Sequence, residues 1–208
     1  MLLIRDATVS DLPLLKELVQ ELAVYDCRPD GVIVTEAKLI SDGFGAQPKF
    51  RALIAERGGK AAGYAFFYGF YSSRKGPGIF LEDLFVREQF RGHGIGKSLL
   101  SRVAQIARQE GFFAVRWEVL DWNESAIKFY KSLGANLVDE CRQFILEREA
   151  LSRLADSELQ PHCGGRVSKT NFKVAAIIIH GLSIPHRLQQ RMLHRVRMND
   201  LSKSKTKA

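Results

Sequence analysis

The stretch from Phe80 to Leu100, FLEDLFVREQFRGHGIGKSLL, constrains this chain more than any other. The run from Ile79 to Val86 reads as a buried strand, followed by a short polar turn. The loop Arg91-Gly92-His93-Gly94-Ile95-Gly96 then opens directly into an amphipathic helix. Along that helix Leu99, Leu100, Val103, Ile106 and Ala107 recur at three- and four-residue spacing. Glycines let a backbone curl and approach a ligand closely. The first amides of a helix have no intrahelical partner and point at whatever sits before them. A strand that delivers a glycine loop to a helix N-terminus therefore builds an anion site, and phosphate is its natural guest.

Glycine-rich loops serve several unrelated nucleotide binders, and spacing separates them. The dinucleotide fingerprint needs G-x-G-x-x-G, whereas these glycines fall as G-x-G-x-G. Gly96-Lys97-Ser98 copies the end of a P-loop, but no glycine stands at Phe90 or Arg91 to begin one. What remains is R-x-x-G-x-G, made by Arg91, Gly94 and Gly96, after a strand ending LEDLFV. This resembles the acetyl-CoA signature of the GCN5-related N-acetyltransferases, the GNAT family.

The net charge of +8 looks at first like a nucleic-acid footprint. Residues 1–150 hold 20 basic and 20 acidic side chains, whereas residues 151–208 hold 11 basic and 3 acidic. The basicity belongs to the tail and says nothing about the chemistry of the preceding segment. Cys27, Cys141 and Cys163 are odd in number and widely spaced, which points to reduced thiols in a cytoplasmic protein. No charged-then-apolar signal segment opens the sequence, and its longest apolar run, Val174 to Ile179, is too short for a bilayer, so no membrane association is expected.

Along the chain, Leu2 to Arg5 reads as a strand and Leu12 to Ala23 as a helix. Thr35 caps a second short helix that ends at Gly43. Phe50 to Glu56 and Ala61 to Tyr71 form an expected hairpin, the second strand aromatic on both faces and assigned to packing. Ser72 to Gly78 reads as a loop, Ala114 to Leu120 as a strand, Asn123 to Gly134 as a helix, and Leu137 to Glu147 as a last strand. This order resembles the GNAT fold over residues 3 to 148. The expected class is α/β (α+β), a mixed central sheet flanked by helices. The resemblance implies an acetyltransferase domain over residues 1–150, and 151–208 is expected to be a basic, poorly ordered extension. Within that extension 161–165 reads as a linker and 188–198 as a basic amphipathic helix. A nucleic-acid contact is open only to this tail. His180, His186 and His194 lack a ligand set, so no metal is expected.

Acetyl transfer to an amine needs a proton acceptor for the ammonium, donors for the thioester oxygen, and a proton for the leaving thiolate. Glu82 and Asp83 stand together in the apolar strand; neighbouring strand positions face opposite ways, and a desolvated carboxylate there has a raised pKa. The motif N-x-x-A-x-x-F-Y-x-x-x-G (Asn123, Ala126, Phe129, Tyr130, Gly134) resembles the family's C-terminal signature, which implies that Tyr130 is the general acid. Val34 to Gly45, LEDLFVREQFRGHGIG, and Trp122 to Ala135 are similar to the spermidine/spermine (diamine) acetyltransferases. That resemblance implies that Glu82 deprotonates the substrate and that Leu84, Phe85 and Val86 offer amides to the thioester and pantetheine. It implies that Arg91, Gly92, His93, Gly94, Ile95, Gly96 and Lys97 hold the pyrophosphate, with Asn123, Glu124, Ser125 and Ala126 binding the rest of acetyl-CoA. Tyr25, Asp26, Glu82, Asp83, Glu118 and Glu140 would hold a polyamine, and the enzyme would be a homodimer.

Two stretches depart from that subfamily. Ser72-Ser73-Arg74-Lys75 and Cys27-Arg28-Pro29 stand where acids and aromatics are expected. Cations there repel a long polycation and suit a substrate with a carboxylate. The acceptor is therefore kept broad: a small primary amine, either a diamine or polyamine or a lysine-like amino acid. The rival readings are a CoA-binding regulatory protein whose tail docks on RNA or an acidic partner, and a protein or peptide N-acetyltransferase.

Overall fold

The computed structural model describes residues 1–139 and 143–157. Two compact units divide the chain, Met1–Phe129 and Tyr130–Ala208. The expected linker and basic helix of the tail, and Glu140, lie outside the described residues.

The first unit is built on a five-stranded sheet in the order β1-β2-β3-β4-β5. Its strands are β1 (Leu2–Asp6), β2 (Arg51–Arg57), β3 (Lys60–Ser72), β4 (Gly76–Val86) and β5 (Val115–Arg116). Neighbours run antiparallel except β4 and β5, which are parallel. The mixed sheet flanked by helices is thus as expected. One face is covered by α1 (Leu12–Tyr25), whose Leu15 and Leu18 pack with Ala52, Tyr64 and Phe85. The helix α3 (Ile95–Gln109) touches all five strands and buries Leu99, Val103 and Ile106. The short helix α2 (Glu36–Gly43) starts where Thr35 Oγ1 accepts the Lys38 amide at 3.2 Å, the cap its sequence suggests.

Charge pairs fix the ends of these elements. Arg5 grips both carboxylate oxygens of Asp11 at 2.7 Å, and its Nε reaches Glu56 at 2.8 Å, so β1, β2 and the entry to α1 share one guanidinium. Arg87, just past β4, donates to Glu21 at 2.9 Å and to Glu17 at 2.6 Å, which pins that end of the strand to α1.

Three expectations change. The loop expected over Ser72 to Gly78 is only a turn, because β4 already begins at Gly76 and pairs with Ser72. The strand expected over Ala114 to Leu120 shrinks to two residues, Val115 and Arg116, paired with Ile79 and Phe80. Beyond Phe80 the partner strand is bulged, and a bulge bends and twists a strand away from its neighbour. The last strand expected over Leu137 to Glu147 does not form among the described residues: 137–139 and 143–146 carry no strand, and Phe144, Ile145 and Leu146 are exposed instead of packed.

The helix α4 (Glu124–Ser132) spans the end of the first unit and the start of the second. Gly134 closes it at φ +84°, with Gly134 and Ala135 amides returning to the Lys131 and Tyr130 carbonyls. The second unit also carries α5 (Arg148–Asp156), which the sequence reading did not anticipate and which exposes Leu151 and Leu154.

Candidate active site

The carboxylates of LEDLFV sit on an irregular stretch of β4. Asp83 pairs with Phe66 and Leu81 with Phe67, so Glu82 is an extra residue with no partner of its own in the ladder. In a regular strand Glu82 and Asp83 would face opposite sides, and that was the expectation. The bulge overturns it. Asp83 accepts a 2.9 Å hydrogen bond from Tyr64, while Glu82 stands beside Tyr68. Tyr64 and Tyr68 are four residues apart on β3 and so share a face, which brings both carboxylates to that face.

Burial divides the pair. Asp83 is half-buried, and desolvation above all lifts its carboxyl to about 6, opposed by the Tyr64 hydrogen bond and aided by the charges of Glu82 and Asp26. Glu82 is exposed. The raised pKa expected of a carboxylate here therefore belongs to Asp83. Tyr64, fully buried, is driven upward by desolvation and then by Asp83, so it is a permanent donor. Asp26, at the C-terminal end of α1, is also raised by burial, with Arg28 opposing. Tyr68 is raised by burial and by the neighbouring charges of Glu82 and Glu118. Tyr25, Asp26, Glu82, Asp83 and Glu118 thus gather around the bulge or its approach.

The glycine loop follows at once. Gly92 and Gly94 adopt φ +76° and +75°, a region that side-chain-bearing residues avoid. Gly94 is the N-cap of α3, and its carbonyl accepts the first helical bond from Ser98 at 3.0 Å. The amides of Ile95, Gly96 and Lys97 precede that bond and form the anion-facing end of the helix. Ile95 is buried and anchors this end, while His93 and Lys97 are exposed. Arg91 Nε donates to the Val86 carbonyl at 2.9 Å, and its guanidinium lies 4.8 Å from the Tyr25 ring. The loop is thereby clamped to the end of β4, next to Leu84, Phe85 and Val86, which lie past the last residue paired with β5.

Asn123 Oδ1 accepts from the Ala126 amide at 3.2 Å and from Ser125 Oγ at 3.0 Å, an N-cap arrangement that explains why α4 begins at Glu124. Gly96 and Phe129 approach each other: a Cβ on Gly96 would lie 3.8 Å from the Phe129 ring. Tyr130 is half-buried in the second unit, and burial pushes its phenol up to about 12, so it holds its proton throughout the neutral range. The sequence reading gave Tyr64 and Tyr68 to packing alone. The signal for more was their placement opposite LEDLFV in the hairpin register, legible only once that register is known.

Strand, bulge, loop and helix invite comparison with known proteins. Residues 16–135 match the Acetyltransferase (GNAT) family. The chain belongs to the GNAT family. It is an acetyl-CoA-dependent N-acetyltransferase. A thialysine N-epsilon-acetyltransferase from Sus scrofa is 38% identical over 164 residues, covering 74% of this chain and 96% of that protein. The human spermidine/spermine N(1)-acetyltransferase-like protein 1 is 37% identical over 139 residues, 64% of this chain and 20% of the relative. Among solved structures, an integron cassette protein from the mobile metagenome of V. cholerae superposes with a TM-score of 0.63 at 26% identity, covering 75% of this chain and 98% of its own. This GNAT enzyme therefore shares its fold and nearly the full length of small N-acetyltransferases.

Proposed function

We propose that this enzyme moves the acetyl group of acetyl-CoA to the primary amine of a small molecule by direct attack in a ternary complex. The observation that carries the reading is the bulge at Glu82, which turns two carboxylates, one of them raised to about 6, to the same face just ahead of the glycine loop. An alkylammonium must lose its proton before it can attack. Glu82 takes that proton, with Asp83 held on Tyr64 as a second acid in reach of the same face. The free amine attacks the thioester carbon, the amides of Leu84 and Val86 receive the oxygen's charge, and the carbon–sulfur bond breaks. Tyr130 gives its proton to the departing thiolate, and the proton shed by the newly acylated nitrogen restores the phenol. Arg91 to Lys97 hold the pyrophosphate and Asn123 to Ala126 the adjacent part of CoA.

The names of the relatives support an acceptor drawn from diamines, polyamines and lysine-like amino acids. On the family resemblance the catalytic domain takes residues 1–150, acts as a cytoplasmic homodimer and uses no metal, with 151–208 as a basic extension. Release of CoA thiol from acetyl-CoA against spermidine, putrescine, lysine, thialysine and a peptide tests the reading. Turnover with a small amine that collapses in Tyr130→Phe is the expected result. Turnover with the peptide alone, or turnover indifferent to both Tyr130→Phe and Glu82→Gln, overturns it.

A further inference from the structure

The guanidinium of Arg116 is placed unlike those of Arg5, Arg51 and Arg87. Each of these three grips a carboxylate. Arg116 is half-buried on β5, and among the described residues it has no acidic partner. Instead it lies 4.9 Å from the centre of the Phe70 ring and 5.6 Å from that of Phe113, two rings packed edge to face at 5.7 Å. Lys75 adds a second cation over Phe113 at 5.9 Å. Rings hold a guanidinium in place through its face, and leave its N–H edge free for a planar anion.

Register puts this cation on the acceptor side of the sheet. Arg116 pairs with Phe80, Phe80 pairs and stacks with Tyr68 at 5.3 Å, and Phe70 lies two residues on from Tyr68, so all four share one face. Glu82 stands beside Tyr68 on that same face. Glu118, two residues beyond Arg116, lies close enough for its charge to act on Tyr68. The face therefore runs from carboxylates at the bulge, across an aromatic floor of Tyr68 and Phe80, to an anchored cation. From Glu82 to Phe80 is two residues and to Gly78, opposite Phe70, four, so the charges are spaced by about 7–13 Å.

We infer that Arg116, held by Phe70 and Phe113, binds the carboxylate of the acceptor, so that the preferred substrates are amino acids with a terminal side-chain amine. The inference deepens the proposed function and rests on it. An amine delivered to Glu82 and a carboxylate delivered to Arg116 match the two ends of an extended ω-amino acid of lysine's length or somewhat longer. A diamine of the same length would put an ammonium beside a guanidinium and lose both the pairing and the fit of charge.

The test compares kcat/KM for lysine and thialysine with that for cadaverine, the same chain as lysine without the carboxylate. The unmodified enzyme is expected to favour the amino acids at least tenfold. In Arg116→Gln the lysine-to-cadaverine ratio falls about 10–100-fold, through KM, as befits loss of a charge-assisted bond. Arg116→Lys keeps the stem and charge without the fork and falls between them; it also serves if the glutamine variant folds poorly. A ratio unmoved in both variants, with both acceptors losing activity together, makes Arg116 a structural stack and overturns the inference. Turnover of diamines but not amino acids overturns it while leaving acetyl transfer intact. Turnover of neither class overturns the inference together with the proposed function.

Discussion

The hydroxyl of Tyr64 donates to Asp83 Oδ2 at 2.9 Å, from a ring that is fully buried under α1. One bond joins the hydrophobic core to the face that carries both carboxylates: the packed phenol fixes Asp83, and the same packing removes the water that would keep it acidic. Asp83 is consequently held near 6 while its neighbour Glu82 faces solvent.

That raised pKa sets a pH dependence of stability. The folded state prefers protonated Asp83, so its contribution is fully present below the ordinary value near 3.8 and is lost as pH rises through about 6. Asp83→Asn, whose amide oxygen still accepts from Tyr64, is expected to unfold at a higher temperature than the parent at pH 7.5. The advantage shrinks as pH falls from 6.5 to 4.5. Thermal unfolding of both proteins over that range checks it, and an advantage that grows on acidification contradicts it.

Asp11 behaves in the opposite sense. The Arg5 guanidinium, with the Thr8 amide and hydroxyl at 2.8 Å, holds its carboxyl far below the usual carboxylate range. The stabilisation is present above pH 4 and lost below it. Asp11→Asn is expected to cost about 1–3 kcal/mol at pH 7, measured by urea unfolding, with the difference fading toward pH 3.

Gly94→Ala tests the loop. Apart from its chain neighbours, no atom of the described residues lies within 4 Å of the added methyl, so the cost comes from the backbone at φ +75°, about 1 kcal/mol or more. KM for acetyl-CoA is expected to rise several-fold with the acceptor KM little changed. Gly94→Asn, a residue that enters this region more readily, should lie between them.

Tyr130→Phe removes the proposed proton donor, a phenol that burial pushes up to about 12. The expected loss is about 10²-fold or more in kcat, with acetyl-CoA affinity retained by calorimetry. A fall in affinity with kcat unchanged would make Tyr130 a packing residue.

Most of the sheet is legible in the amino-acid order, because apolar alternation and Gly58-Gly59 mark the β2–β3 hairpin and the spacing of Leu99, Val103 and Ile106 marks α3. The strand expected over Leu137 to Glu147 was not legible in this sense: its residues look apolar enough, yet nothing among the described residues packs on Phe144 or Ile145. The extent of β5 was misread for a related reason, since AVRWEVL has strand composition throughout, but composition carries no information about where a neighbour bends away.

The loop R-x-x-G-x-G, its helix, the cap at Thr35 and the family itself come from residues close in sequence, whose spacing and conformational preferences act locally. Which carboxylate is buried, that Glu82 and Asp83 share a face, and that Arg116 lies against the rings of Phe70 and Phe113 are decided by tertiary structure. Each depends on the register between β3, β4 and β5, and register is a relation between residues far apart in the chain, set only when the strands pair and the bulge takes up one extra residue.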